Sequence, residues 1–132
     1  MPSSFTVAGV TDTLSPENEK YADALNDVGK TMETVLSIVQ TPQFETMEGW
    51  KKKKENKIDT VYSKRFECGK IFTCRTVLPM ARETIFTEHW DNFVETAKLS
   101  KNTSFVEKVA ILSPHCEIVH VKFREIVGSN FR

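Results

Sequence analysis

Between Ser15 and Thr41 the apolar residues return every three or four positions, and this stripe constrains the fold more than any other feature of the chain. Ser15 suits a helix N-cap and Pro16 a first turn. Glu17, Glu19 and Asp23 complement the positive end of a helix dipole. Tyr21, Leu25, Val28, Met32, Leu36 and Val39 then fall on one face. Thr41-Pro42 ends the run, because the residue before a proline avoids the helical region. A helix with a single apolar face has to pack it on another layer, so the rest of the chain must supply one.

Strands supply that layer. Residues 58–66 and 71–78 are two strands, with Glu67 to Lys70, including Gly69, as the hairpin turn. In the second, Phe72, Cys74, Thr76 and Leu78 form the more apolar face, and Pro79 ends it. The segment "MARETIFTEHWDNFVETAKL" is helical, with Ile85, Phe86, Trp90, Phe93, Val94 and Ala97 on one face, of which Ile85, Phe86, Trp90 and Phe93 are expected as core. Two further strands, 105–112 and 116–126, join through Ser113-Pro114-His115. In the last of these Val119, Val121 and Phe123 point one way and His120, Lys122 and Arg124 the other. Residues 1–14 are small, polar and weakly patterned, and are expected to form a flexible tail. Residues 15–132 are then one domain of helix, two strands, helix and two strands. Hairpin-linked strands imply an antiparallel sheet and an α+β class.

The segment "MEGWKKKKENKIDTVYSKR" interrupts this ordinary pattern with four consecutive lysines, Lys51 to Lys54. The chain as a whole has zero net charge, so attraction of the whole molecule to nucleic acid is not expected. The charge is uneven, however: residues 1–49 carry eight acids and two lysines, and residues 50–66 carry seven bases and two acids. One reading of the lysines is a solvated sheet edge, protected from further pairing. Another is contact with anionic lipid headgroups, each surface lysine adding about 1 kcal/mol. Nucleic-acid binding has the least support, with no aromatic interleaving and no recognisable module.

Catalysis and metal binding find little footing. Cys68, Cys74 and Cys116 are an odd set without a close pair, which argues for reduced thiols rather than a disulfide framework. His89, His115 and His120 lack metal-ligand spacing. Cys116 follows His115 directly, but neighbours on a strand point to opposite faces. Glu83, Glu88, Asp91 and Glu95 have the spacing of a solvated helix face. No enzyme, metal or cofactor is expected. The opening "MPSSFTVAGVTDTL" has neither a basic n-region nor a long apolar core, and the expected location is cytoplasmic.

Short motifs in a consistent order carry a family likeness over about residues 20–132. A long helix leads to Gly49-Trp50, and a D-x-V-x-S-K strand comes next at Asp59, Val61, Ser63 and Lys64. A G-K-x-F strand start lies at Gly69, Lys70 and Phe72, and Pro79-Met80 opens the next helix. Further matches lie around Val106 to Leu112, at Ile118 and His120, and at Val127-Gly128 with Arg132. This order resembles the N-terminal part of a steroidogenic acute regulatory protein-related lipid transfer (START) domain, nearest its cholesterol-binding branch.

The resemblance implies a helix-grip fold, a curved antiparallel sheet around a C-terminal helix, with an apolar tunnel for one lipid. It implies a carrier of a sterol or phospholipid that touches membranes transiently. Val119, Val121 and Phe123 become candidate lipid-lining residues, with ordinary sheet core as the alternative. Lys51, Lys52, Lys53 and Lys54 become candidate membrane contacts. Three departures stand out. The family domain continues past the equivalent of Arg132, so the chain is expected to be truncated before the C-terminal helix. Val121 stands where the cholesterol branch has an acid, and Lys101-Asn102 where the family has Trp-Asn. The competing reading is a chain that binds no lipid and acts by protein–protein contact through an open sheet edge.

Overall fold

A computed structural model describes residues 1–125. The chain forms two compact units. One combines Met1–Thr31 with the segment from Ala81 onward, and the other is Met32–Met80. The elements are helices and antiparallel sheets, so the α+β class holds.

The first unit opens with a β-hairpin, β1 (Ser4–Val7) and β2 (Val10–Thr13), where a flexible tail was expected. Ala8 and Gly9 turn it with φ of 50° and 82°. Positive φ at both central residues is what a tight hairpin needs, and glycine takes one of them without strain. Phe5 and Leu14 tie the segment down by packing into the core. A 3-10 turn over Pro16–Tyr21 then leads into α1 (Ala22–Val39). Proline sits in the first turn as expected, but the Ser15 side chain makes no capping hydrogen bond.

The core of this unit is Leu14, Leu25 and Leu112, with Tyr21, Ala22, Ala110, Cys116 and Ile118 packed around them. Leu112 belongs to β6 (Thr103–Ser113), which pairs with β7 (Cys116–Phe123) across the Pro114-His115 turn. The helical stripe is only partly covered: Leu25 is buried, whereas Val28, Met32 and Val39 are exposed.

The helical stretch after Pro79 is not one α-helix. It divides into α3 (Arg82–Phe86), a π segment (Thr87–Asp91) and α4 (Phe93–Lys98). The wider turn shifts the phase of the helix. Ile85, Trp90, Phe93, Val94 and Ala97 are half-buried, but Phe86 is exposed and stacks on Trp90. None of the six is fully buried, so the four expected as core do not form a closed one.

In the second unit, α2 (Pro42–Thr46) precedes a three-stranded meander of β3 (Lys51–Glu55), β4 (Asp59–Phe66) and β5 (Gly69–Thr76), in that order. Strands β4 and β5 pair from Asp59↔Thr76 to Phe66↔Gly69, leaving Glu67 and Cys68 as the turn. Trp50 sits between Phe44 and Phe66, with ring centres 5.8 and 5.6 Å away. Arg75 lies over the Phe44 ring and donates to its carbonyl oxygen. These contacts cover the face of β5 that carries Ile71, Thr73 and Arg75. Phe72 and Cys74, expected on the covered face, are exposed instead. Ile126 and everything after it, including Val127, Gly128 and Arg132 of the family motif, lie outside the described residues.

Candidate functional site

On β7 the side chains alternate, and each face has its own work. Cys116 and Ile118 pack against the leucine core. Glu117 and Val119, on the opposite face, line a cleft of about 260 Å³ together with His89, Trp90 and Phe93. The three valine and phenylalanine candidates therefore separate. Val119 lines the cleft; Val121 is half-buried opposite Val106; Phe123 is 74% exposed opposite Thr103. Pockets that enclose a ligand run to about 300–1,000 Å³, so this cleft can grip one part of a lipid rather than surround it.

The walls are mostly carbon, and their polar groups are already engaged. Glu117 pairs with Lys108 on the adjacent strand at 3.2 Å, with the two side chains only 12% and 31% exposed. His89 places Nδ1 2.9 Å from the Ile85 carbonyl oxygen, so Nδ1 carries the proton and donates it. In the neutral imidazole Nε2 is then an acceptor, and Glu117 retains acceptor capacity beyond its lysine. A hydroxyl on a bound molecule could donate to either. Sequence reasoning assigned Trp90 and Phe93 to core and passed over His89 and Glu117. Their signal was present in Trp90 and Phe93 at a three-residue step, and in Glu117 two residues before Val119.

The four lysines are themselves a strand. They form most of β3, the sheet edge, and all five residues of that strand are exposed. Lys52 is held by Glu55 at 2.9 Å, which raises its pKa. Lys53 behaves oppositely, its pKa lowered chiefly by the nearby charge of Lys70.

A second polar cluster lies where β2 meets the β6–β7 turn. His115 Nδ1 lies 2.8 Å from Asp12 Oδ1, and this hydrogen bond, ahead of one from Ser113 and the imidazole charge, holds the Asp12 carboxyl below its usual pKa against the opposing cost of burial. His115 is thus engaged with Asp12. Cys116 is pushed up, first by burial and then by Asp12 and Glu117, which keeps the thiol protonated at neutral pH. Among the described residues, no three His, Cys, Asp or Glu side chains converge as metal ligands. No described helix is long and apolar enough to cross a membrane.

These features define an α+β chain of antiparallel sheets and short helices with an aromatic-lined cleft. The chain is similar to a steroidogenic acute regulatory-like protein, in keeping with the START likeness read from its motifs for the part of the domain it spans. It is 31% identical over 116 residues to "Steroidogenic acute regulatory-like protein 1" of Caenorhabditis elegans, a match covering 87% of this chain and 45% of that protein. The chain therefore spans less than half the length of this relative. No family model matches the chain. No solved structure matches it either.

Proposed function

We propose that this chain contributes to binding and transfer of a lipid, a sterol being the class the cleft suits best, on a helix-grip frame in the cytoplasm. It works as a carrier rather than an enzyme. The observation that carries this reading is the similarity to the steroidogenic acute regulatory-like protein, which extends over 87% of this chain. The cleft supports it in chemical terms. A rigid apolar ring system would cover the aromatic wall, at about 25 cal/mol per Å² of surface removed from water. Its hydroxyl would donate to Glu117 or to His89 Nε2, an arrangement a hydrocarbon chain alone would leave unused. Val121 and Phe123 extend the same face of β7 and would contact the remainder of the lipid. Lys51 to Lys54 would meet the membrane during exchange.

Native mass spectrometry of the protein purified from cells, with lipid extraction in parallel, tests the reading. A co-purifying lipid at one per chain is expected. Val119→Asn and Phe93→Ala should each lower lipid occupancy several-fold while the unfolding transition stays cooperative. Absence of bound lipid, or occupancy indifferent to both substitutions, would overturn it. Oligomers without lipid would favour contact through the open edge of β3.

A further inference from the structure

The three-stranded sheet has a second face, opposite the one covered by Phe44 and Trp50, and its register assigns the residues there. Lys51 stands opposite Ser63 and Ser63 opposite Phe72. Lys54 stands opposite Val61 and Val61 opposite Cys74. Arg65 stands opposite Lys70. Residues directly opposite share a face. Lys51, Lys54, Arg65 and Lys70 therefore surround Phe72 on one side of the sheet. Lys53, at the bulge between Lys52 and Lys54, joins them, since its ammonium feels that of Lys70.

Phe72 is 60% exposed, with Lys70 Nζ 5.4 Å from its ring centre. None of the five cations has an ion-pair partner among the described residues. Glu55 is spent on Lys52, and both belong to the other face. Asp59 shares the cationic face but lies at its far end, opposite Thr76. Crowding ammonium groups without a counterion is unfavourable, so the face is complementary to a negative partner. A single small anion would satisfy one pair and leave the rest. A plane of anions with an apolar interior beneath it would satisfy the lysines, Arg65 and Phe72 together.

We propose that this face is a docking surface for an anionic lipid bilayer, with the five cations at the headgroups and Phe72 entering the acyl boundary. The proposal rests on the lipid-carrying reading and narrows its membrane contact. Lys52 leaves the contact set, and Arg65, Lys70 and Phe72 join it. The grouping depends on strand register, so the run of four lysines alone does not show it.

Vesicle flotation tests it, with phosphatidylcholine alone compared with phosphatidylcholine mixed with phosphatidylserine. The protein should float only with the mixed vesicles, and less so as salt rises. Each cation removed should lower the partition coefficient about five-fold, so Lys53→Gln/Arg65→Gln/Lys70→Gln should lose about a hundred-fold. Phe72→Ser should lose about ten-fold, a loss that salt does not change. Lys64→Gln, paired with Ile71 on the opposite face, should bind as the parent does. Circular dichroism of each variant checks that the sheet is intact.

No flotation with the mixed vesicles, or equal flotation by the triple variant, would overturn the proposal. Displacement from vesicles by inorganic phosphate at Debye-equivalent salt would show a site for a free anion and overturn it too, as would equal retention on RNA at the same ionic strength. Lipid extraction from the same samples separates the two readings. Bound lipid without flotation sinks the docking face alone, and flotation without bound lipid sinks the carrier alone.

Discussion

Gly29→Ala tests the packing of the N-terminal hairpin, because two effects of known size oppose each other there. Replacing glycine by alanine inside a helix ordinarily stabilises by about 1 kcal/mol. Gly29 is buried within α1, and a methyl group there would stand 2.5 Å from Phe5 Cε1 and 2.6 Å from Phe5 Cγ. Carbon atoms in contact sit about 3.5–4.0 Å apart, so the ring would have to leave. Phe5 is half-buried against the leucine core. Full burial of such a side chain is worth about 1.5–3 kcal/mol, and half of it about 1.5 at the upper end. The helix gain is cancelled or reversed, and Gly29→Ala should be neutral to destabilising by about 0.5 kcal/mol. In a Phe5→Ala background the obstacle is gone, and the same substitution should stabilise by about 1 kcal/mol. Urea unfolding followed by far-ultraviolet circular dichroism gives all four corners of the cycle, with a coupling of roughly 1.5 kcal/mol expected. Equal stabilisation by Gly29→Ala in both backgrounds would show that Phe5 does not occupy that place.

Other substitutions probe separate parts of the structure. Leu112→Ala removes one of three fully buried leucines and should cost about 2–5 kcal/mol in the same urea titration. Trp50→Ala takes the central ring from the Phe44–Trp50–Phe66 set and should cost about 2–3 kcal/mol, below a fully buried tryptophan because Trp50 is half-buried. Far-ultraviolet circular dichroism serves for that measurement, since Trp50 is itself the residue removed. Asp12 has its folded pKa held below the ordinary carboxylate value of 3.8, so its contribution is present above that value and disappears as pH falls through the folded pKa. Asp12→Asn should therefore narrow the gap in melting temperature between pH 6 and pH 3; an unchanged gap would remove Asp12 from the account of acid sensitivity.

The sequence was most legible where a single local rule acted alone. The helix over Ala22–Val39 followed from its stripe and its proline stop, and the β4–β5 and β6–β7 hairpins followed from their turn residues. Residues 1–14 were misjudged because their strands are only four residues long. Alternation over so few positions is weak, and Gly9 carried most of the turn signal. Lysine disfavours strands by intrinsic preference, so the four lysines read as a solvated edge and β3 is absent from the strands expected of the sequence. At an exposed edge the cost of lysine is small, and pairing with β4 overrides it. The face of β5 was inverted for a tertiary reason. Alternation shows that two faces exist, and Phe44 and Trp50, distant in sequence, decide which is covered. Of the cleft residues, the sequence singles out Val119 by its alternation on β7. Trp90, Phe93 and Glu117 were not linked to it, because their meeting depends on the π segment and on β6–β7 pairing.

The two units must fold on different schedules. Met32–Met80 is an uninterrupted segment whose sheet closes through neighbouring turns, so it can form as soon as it leaves the ribosome. The other unit cannot. Leu14 and Leu25 are made early, and Leu112 only after the whole intervening segment. During synthesis the leucine cluster lacks its third member, and loop closure over that distance sets the pace. The N-terminal residues should thus be the last to become protected from hydrogen exchange, although they are the first to be made.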